Sequence, residues 1–281
     1  MIKLENVSYV YSPGSPFEKT ALNQINLKIE EGVLLGIIGH TGSGKSTMVQ
    51  LMNALLLPTS GTVSIEGKVT TDKATNLRQL RSTVGMVFQY PEHQLFEETI
   101  NQEIAFGPKN LNLSQQQVDE RVKWAMETVG IPIQWREKSP FDLSGGQKRR
   151  VAIAGVLAMR PKVLILDEPT AGLDPKARRD LLREIVKMHR QMGITVILVS
   201  HSMEDIASIA GRIIVLLHGT IKYDGTPKQV FSNINELEKI GLDVPEVTRL
   251  TYRLNLPLCF TVADAKAIIS EKLKKKGEKN D

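Results

Sequence analysis

The sequence predicts a three-layer α/β fold with a mostly parallel core sheet. Five short runs of apolar residues have no polar interruption, which is typical of strands buried on both faces of a parallel sheet. Helical segments separate these runs, and alternation of strands and helices favours layers of helices on a central sheet. The runs are 33–38, 84–88, 163–166, 195–199 and 213–217. The helical segments are 46–57, 115–129, 146–159 and 176–192.

The first 30 residues follow a different pattern, because apolar and polar residues alternate in them. Alternation predicts half-exposed antiparallel strands, and the Pro- and Gly-containing segment 12–16 predicts the turn between them. Residues 90–160 contain no convincing strand, so we expect a helical subdomain inserted into the sheet domain. The main domain is therefore predicted to span residues 1–220.

A small helical appendage is predicted for the remaining residues, 221–281. Thr226 precedes Pro227 in the manner of a helix cap followed by a proline at the first helical position. Thr261 and Asp264 have the spacing of a capping box and predict a last helix over 265–275. The lysine-rich end of this helix, which contains Lys272, Lys274, Lys275 and Lys276, is expected to be solvated.

Composition excludes several classes of protein. The chain has 281 residues and a net charge of +5, and the segment from Ser270 onward holds five lysines against three acids. This mild basicity does not predict a nucleic-acid-binding face. The single cysteine, Cys259, excludes an internal disulfide. The start lacks a signal-peptide pattern, and every apolar run is far shorter than the ~18 residues of a membrane span. We expect a cytosolic protein that can still dock on a membrane partner.

A glycine-rich segment follows the first predicted core strand and opens the helix from residue 46. It reads G-H-T-G-S-G-K-S-T, which fits the P-loop pattern. Glycines allow backbone N–H groups to surround a phosphate, and the helix N-terminus adds a positive dipole end. The sequence therefore predicts an ATP site rather than a plain strand-to-helix turn. The expected contact residues are Gly39, His40, Thr41, Gly42, Ser43, Gly44, Lys45, Ser46 and Thr47.

Two acids, Asp167 and Glu168, follow the apolar run 163–166. Ligands bind at the carboxyl ends of strands in such sheets, so we expect both acids beside the phosphates. Successive side chains of a strand point in different directions. Asp167 is therefore expected to hold Mg²⁺ together with the Ser46 hydroxyl, and Glu168 to orient or deprotonate water. The competing interpretation is a pair of solvated acids ending a strand.

The segment L-S-G-G-Q, residues 143–147, resembles the signature motif of ABC-type ATPases. Other marks of that family occur in the expected order. Gln89 resembles the Q-loop glutamine and an additional Mg²⁺ ligand, His201 the switch histidine, and Asp174 part of the D-loop. Tyr11 resembles the aromatic residue that stacks on adenine, with Tyr9 as the competing candidate. The signature residues that such a family uses to contact ATP correspond to Ser144, Gly145, Gly146 and Gln147.

The resemblance implies a P-loop NTPase fold of ABC type and a head-to-tail pair of cassettes. In that pair the signature of one cassette closes on the P-loop nucleotide of the other, with Glu168, His201 and Gln89 as catalytic residues. His201 could instead be a core histidine, and Gln89 an exposed turn residue. Arg149 and Arg150, which follow the signature, are expected to form a solvated helix face.

A finer resemblance follows Gln89, where Q-Y-P-E-H-Q-L-F precedes E-I-A-F-G-P at residues 103–108. This pattern resembles the ATPases of energy-coupling factor transporters, and the P-loop sequence resembles the second of their two paralogues. Such an ATPase is peripheral on the cytoplasmic membrane face and powers uptake of a vitamin or metal. Its partners are a second ATPase, a transmembrane coupling subunit and a substrate-binding membrane subunit. The alternatives are another class of ABC importer and a nucleic-acid- or ribosome-acting ABC ATPase.

Overall fold

The computed structural model describes the backbone of residues 1–277 and the side chains up to Lys272. This part of the chain contains ten strands and eleven α-helices. The strands are β1 (Ile2–Tyr11), β2 (Lys19–Ile29), β3 (Leu34–Ile38), β4 (Ser60–Ile65), β5 (Lys68–Val69), β6 (Val84–Val87), β7 (Val163–Asp167), β8 (Thr195–Val199), β9 (Arg212–Leu217) and β10 (Thr220–Gly225). The helices are α1 (Lys45–Met52), α2 (Leu77–Thr83), α3 (Ile100–Lys109), α4 (Gln115–Thr128), α5 (Gly145–Leu157), α6 (Pro175–Met192), α7 (Met203–Ile209), α8 (Pro227–Phe231), α9 (Ile234–Lys239), α10 (Glu246–Arg253) and α11 (Val262–Gly277).

The central sheet has six strands in the order β10-β9-β3-β8-β7-β6. The five strands from β9 to β6 run parallel, and β10 pairs with β9 in the antiparallel direction. Every residue of β3, β6, β7 and β8 is buried. The predicted α/β fold with a mostly parallel core sheet is confirmed, and the apolar runs are its strands.

The alternating N-terminal residues form a second, antiparallel sheet in the order β2-β1-β4-β5. Leu4 faces Leu27 of β2 on one side and Val63 of β4 on the other, so apolar side chains gather on one face. That face packs with α1 against the central sheet and forms one hydrophobic core. Strands β4 and β5 were not predicted, because β4 alternates over only four residues and β5 has two residues.

The second core lies on the opposite face of the central sheet, under α3 to α7 and the first C-terminal helices. Between β6 and β7 the chain contains α3, α4, α5 and short 3-10 turns but no strand. This agrees with the helical subdomain that the sequence predicts. Thr99, Ser114 and Ser144 each make a capping box, and these boxes set the starts of the three helices.

The C-terminal helices follow β10 rather than β9. The boundary predicted at residue 221 falls inside β10, and α8 begins at Pro227 with a capping box from Thr226. The Thr248 hydroxyl donates to the Cys259 carbonyl oxygen at 2.6 Å, which ties α10 to the segment before α11. Lys272 is exposed, whereas the side chains of Lys274, Lys275 and Lys276 lie outside the described residues. Over the described part of the chain, no helix combines the length and the apolar character of a membrane span.

Candidate nucleotide site

The loop between β3 and α1 can close only because two of its positions are glycine. A Cβ atom at Gly39 would lie 2.4 Å from the carbonyl oxygen of Leu216, and one at Gly44 would lie 2.6 Å from that of Ala21. Gly44 also has a φ of +104°, which disfavours any residue with a Cβ. The loop thus fits tightly between β9 and β2 and turns directly into the N-terminus of α1.

Lys45 is bent back over this loop and is only 6% exposed. Its Nζ atom donates to the carbonyl oxygens of Gly39 at 2.8 Å and His40 at 3.0 Å. Burial lowers the pKa of Lys45, and the nearby Glu168 and Asp167 carboxyl groups oppose that shift. The ammonium group is therefore held at the mouth of the loop, with opposite charges close by.

The acids at the end of β7 differ in their surroundings. Burial raises the pKa of Asp167, while a hydrogen bond from the Ser46 hydroxyl and the charge of Lys45 lower it. Burial raises the pKa of Glu168 further, to about 7. Glu168 also has a φ of +51°, a left-handed conformation that is uncommon outside glycine. Such strained positions cluster at functional sites, because the surrounding structure must hold them in place.

His201 follows β8, the strand next to β7, and lies against Glu168. Its backbone N–H donates to Glu168 Oε2 at 3.3 Å, and its Nε2 atom lies 3.2 Å from Oε1. The angles of the second contact do not make a hydrogen bond, so Oε1 is buried without a donor. Burial and the charge of Lys45 lower the pKa of His201, which favours the neutral imidazole.

These groups surround one cavity of about 350 Å³. It contains most of the predicted P-loop residues together with the carboxylates, the histidine and the glutamine. Lys19 and Ala21 of β2 also border it, and the alternating pattern of the first 30 residues did not single them out. The lining residues are Tyr11, Lys19, Ala21, Thr41, Gly42, Gly44, Lys45, Ser46, Thr47, Gln89, Asp167, Glu168 and His201.

Tyr11, and not Tyr9, borders this cavity. The Tyr11 hydroxyl is 3.1 Å from the Thr47 hydroxyl, and the residue is 40% exposed. Tyr9 packs against the core between the two sheets and meets the Tyr11 ring edge-on at 4.8 Å between centroids. Of the two aromatic candidates, Tyr11 is therefore the one available to a ligand.

The signature residues lie elsewhere on the surface. The Ser144 hydroxyl accepts the N–H of Gln147 at 3.4 Å, and the Gln147 side chain accepts the N–H of Ser144 at 2.9 Å. Asp174 caps α6 by accepting from the N–H groups of Lys176 and Ala177, which lowers its pKa. Ser144, Gly146, Gln147 and Asp174 border a separate cavity of about 250 Å³. The structure does not bring them to the P-loop of the same chain.

The expectation that Arg149 lies on a solvated helix face is wrong. Its side chain is 2% exposed and forms an ion pair with Glu92 at 2.7 Å. Arg150, the next residue, is half-buried and pairs with Glu184 of α6 at 2.8 Å. The polar segment K-R-R gives no sign that these arginines are buried, because the acids that neutralise their charges are distant in the chain.

The residues present fit a magnesium ion. Ser46 and Asp167 supply a hydroxyl and a carboxylate oxygen that border the same cavity. The Gln89 side chain is exposed at the border of the same cavity. Oxygen ligands of this kind, completed by water and phosphate oxygens, are those that Mg²⁺ prefers.

Comparison with known proteins agrees with this geometry. Residues 22–171 match the family model described as ABC transporter. An energy-coupling factor transporter ATP-binding protein EcfA2 from Clostridium perfringens is 54% identical over 96% of this chain and 97% of its own length. One of the same name from Caldanaerobacter subterraneus is also 54% identical, over 99% of each chain. The chain belongs to the energy-coupling factor ATP-binding proteins of the ABC transporter family.

Solved structures of the ABC family have the same fold. CbiO1 from Clostridium perfringens, described as part of the ABC transporter complex cbiONQ, is 36% identical with a TM-score of 0.76 and covers 91% of this chain and 98% of its own. The cassette MJ0796, solved as a dimer bound to ADP and Pi, is 31% identical with a TM-score of 0.71 and covers 81% and 99%. As an energy-coupling factor ATPase the chain binds and hydrolyses ATP, and this hydrolysis is coupled to transport by an importer.

Proposed function

We propose that this chain powers uptake of a vitamin or a metal micronutrient and works at the cytoplasmic face of the membrane. The observation that carries the proposal is the 54% identity to an energy-coupling factor ATP-binding protein over nearly the full length of both chains. That extent includes the C-terminal helices, which lie beyond the residues 22–171 of the general ABC match.

Within the nucleotide cavity, the roles follow from geometry and charge. Lys45 and the N–H groups of the loop hold the β- and γ-phosphates. Ser46, Gln89 and Asp167 would hold Mg²⁺, which would compensate the charge of the phosphate oxygens. The Glu168 side chain lines the same cavity, so its carboxylate can accept a hydrogen bond from the attacking water. His201 contacts the same carboxylate and holds its orientation.

The separation of the two cavities supports a head-to-tail pair with a second ABC ATPase, a paralogue or a copy of this chain. Ser144 caps α5 at the edge of the second cavity, where the helix N-terminus favours an anion. Asp174 lies in that same cavity. A triphosphate in the first cavity of one cassette can therefore contact a Ser144 residue only when that residue belongs to a second cassette, which places its own α5 there.

A groove beside the segment 89–96 is the proposed docking surface for a helix of the transmembrane coupling subunit. It encloses about 420 Å³ between α3 and α5, with Leu95, Val156 and Met159 among its apolar lining residues. Phe96 and Phe106 meet edge-on at 5.1 Å beside it, and both are about half exposed. Exposed aromatic pairs beside an apolar groove are typical anchors of protein interfaces. The residues from Gln89 to Phe96 connect this groove with the nucleotide cavity.

Co-purification tests the proposal. The tagged chain, recovered from detergent-solubilised membranes of the cells that express it, is expected to bring down a paralogous ATPase, one coupling subunit and a small substrate-binding membrane protein. Mass spectrometry identifies them, and uptake assays on vitamins and transition metals then identify the substrate. Recovery of a permease pair served by a soluble solute-binding protein would contradict the assignment.

A matched pair of variants locates the docking surface. Replacing both Phe96 and Phe106 by serine is expected to remove the membrane subunits while the second ATPase is retained. Ile133→Ser removes an apolar side chain that is 44% exposed in the same subdomain but does not line the groove. It is expected to leave the complex intact, and equal loss in both variants would place docking elsewhere.

A further inference from the structure

The buried side chain of Arg149 donates four hydrogen bonds to other groups of the protein. Its Nε and Nη2 atoms donate to the two carboxylate oxygens of Glu92 at 3.1 and 2.7 Å. Its Nη1 atom donates to the carbonyl oxygens of Pro169 at 2.7 Å and Ala171 at 2.9 Å. The guanidinium group thus joins three segments that are far apart in the chain: the 3-10 turn Pro91–His93, helix α5 and the loop that follows Glu168.

The loop after Glu168 is held from its other side as well. The Thr170 hydroxyl donates to Asp205 Oδ2 at 2.9 Å, and Asp205 Oδ1 accepts from Arg178 Nε at 2.8 Å. Asp205 is 4% exposed and belongs to α7, just after His201. Residues 169–171 are therefore held between two buried charged groups, Arg149 on one side and Asp205 on the other.

Contacts to residues 169–171 bear on the position of Glu168 because the backbone of Glu168 is strained. A residue with a φ of +51° and a Cβ persists only where its neighbours hold it. Pro169 and Ala171 are the first and third residues after Glu168, and neither carbonyl oxygen is far from the Arg149 guanidinium. A planar guanidinium with bidentate geometry fixes such a distance more strictly than an ammonium group does.

On its other side the guanidinium reaches the segment that borders the docking groove. Glu92 lies between Pro91 and Gln94, which both line the groove, and its side chain is 14% exposed. Arg149 holds the pKa of Glu92 below its ordinary value of 4.5, although burial opposes this. Glu92 is therefore a charged acceptor that ties the groove border to Arg149.

We propose that Arg149 is a positioning residue for ATP hydrolysis, which holds the Glu168 loop in register with the groove border through Glu92. Arg149 borders the second cavity but not the cavity that contains Lys45 and Glu168. It acts on turnover through the backbone of residues 169–171. The inference rests on the proposed role of Glu168 as the residue that orients water.

Steady-state ATP hydrolysis with Mg²⁺ tests the proposal, measured on the full chain together with the second ATPase that is recovered with it. Arg149→Met is expected to lower kcat about 10- to 100-fold, as small displacements of catalytic groups do, while KM for ATP stays within about twofold. Glu92→Gln keeps the shape and a neutral acceptor, so it should fold where the methionine variant fails and should lower kcat by a smaller factor. The double variant is expected to have a kcat no lower than that of Arg149→Met, because both substitutions break the same contact between Arg149 and Glu92.

A parallel pair in the same subdomain is the control. Arg136 Nη2 contacts Asp119 at 2.9 Å and its Nε contacts Asn101 at 2.8 Å, without touching the Glu168 loop. Arg136→Met and Asp119→Asn are expected to lower thermal stability with kcat unchanged. Equal losses of kcat in the Arg136 and Arg149 variants, or independent effects of Arg149→Met and Glu92→Gln, would overturn the proposal.

Arg149→Lys separates positioning from charge. It keeps the positive charge beside Glu92, but a single ammonium group cannot reach both the carboxylate and the two carbonyl oxygens in the same geometry. We expect a kcat close to that of Arg149→Met, and full activity in the lysine variant would overturn the proposal. Glu168→Gln is measured in the same assay. If this variant keeps its turnover, the proposed role of Glu168 is wrong. If Glu168→Gln loses its turnover while the Arg149 variants have a normal kcat, only the role proposed for Arg149 is refuted.

Discussion

His201 contacts both oxygens of the Glu168 carboxylate, through its backbone N–H to Oε2 at 3.3 Å and through Nε2, 3.2 Å from Oε1. Glu168 and His201 follow the ends of adjacent parallel strands, so the sheet brings them together. The imidazole is half exposed, whereas the carboxylate is largely buried. The contact therefore fixes the direction of the acid at the border of the nucleotide cavity.

Glu168→Gln is expected to abolish ATP turnover while ATP binding and pairing of the cassettes persist. An amide has nearly the same shape as the carboxylate, but it cannot accept a proton and accepts hydrogen bonds from water more weakly. Phosphate release measures turnover, and size exclusion with ATP measures pairing. Glu127→Gln, an exposed change of the same kind, is the control. Undiminished hydrolysis in the Glu168 variant would remove this residue from the mechanism.

Lys45→Ala is expected to weaken ATP binding by at least about tenfold, because a buried charge near the phosphates is worth more than a surface charge. The change also removes the donor to the Gly39 and His40 carbonyl oxygens, so the loop loses part of its support. Titration with a fluorescent ATP analogue measures the affinity. Lys68→Ala, on β5 and outside the nucleotide cavity, should bind normally. Unchanged affinity at Lys45 would contradict the nucleotide site.

The sequence was most informative where one residue type has few structural uses. Gly39 and Gly44 predicted a loop that no other residue can form, and the apolar runs predicted strands that are buried on both faces. Arg149 could not be assigned in this way. Whether an arginine is solvated or buried depends on partners such as Glu92 and the Pro169 carbonyl oxygen, which local pattern does not reveal. The left-handed backbone of Glu168 is likewise a product of tertiary contacts.

Ser144→Arg is expected to inactivate the site of the partner cassette and not the site of its own chain. The hydroxyl caps α5 in a cavity separate from the P-loop, and the larger side chain would fill the anion position at that helix end. Mixed dimers test this, with Ser144→Arg in one chain and Lys45→Ala in either the same chain or the other. With both changes in one chain, each of the two sites contains one change; with the changes in different chains, one site stays intact. Activity only in the first arrangement would contradict pairing in trans.

Tyr11 and Tyr9 are expected to respond oppositely to replacement by alanine. Tyr11 is exposed at the cavity, so its loss should raise KM for ATP several-fold and leave thermal stability nearly unchanged, since stacking on a base contributes about 1–3 kcal/mol. Tyr9 packs against the core, so its loss should lower the melting temperature with little effect on KM. Kinetics and calorimetry on both variants measure these effects, and a raised KM in the Tyr9 variant alone would reverse the assignment.

The contribution of Glu92 to stability is expected to depend on pH. Its folded-state pKa lies below the ordinary value of 4.5 because Arg149 stabilises the carboxylate. A lowered folded pKa means that this stabilisation is fully present above the ordinary value and is lost as the pH falls through the folded pKa. The melting temperature of Glu92→Gln should therefore lie below that of the unmodified protein at pH 7, and the gap should narrow below pH ~4.5. Glu127→Gln should show no such gap in melting temperature. If the gap for Glu92→Gln instead stays constant from pH 7 down to the lowest pH at which the protein folds, the charge on Glu92 does not stabilise the contact with Arg149.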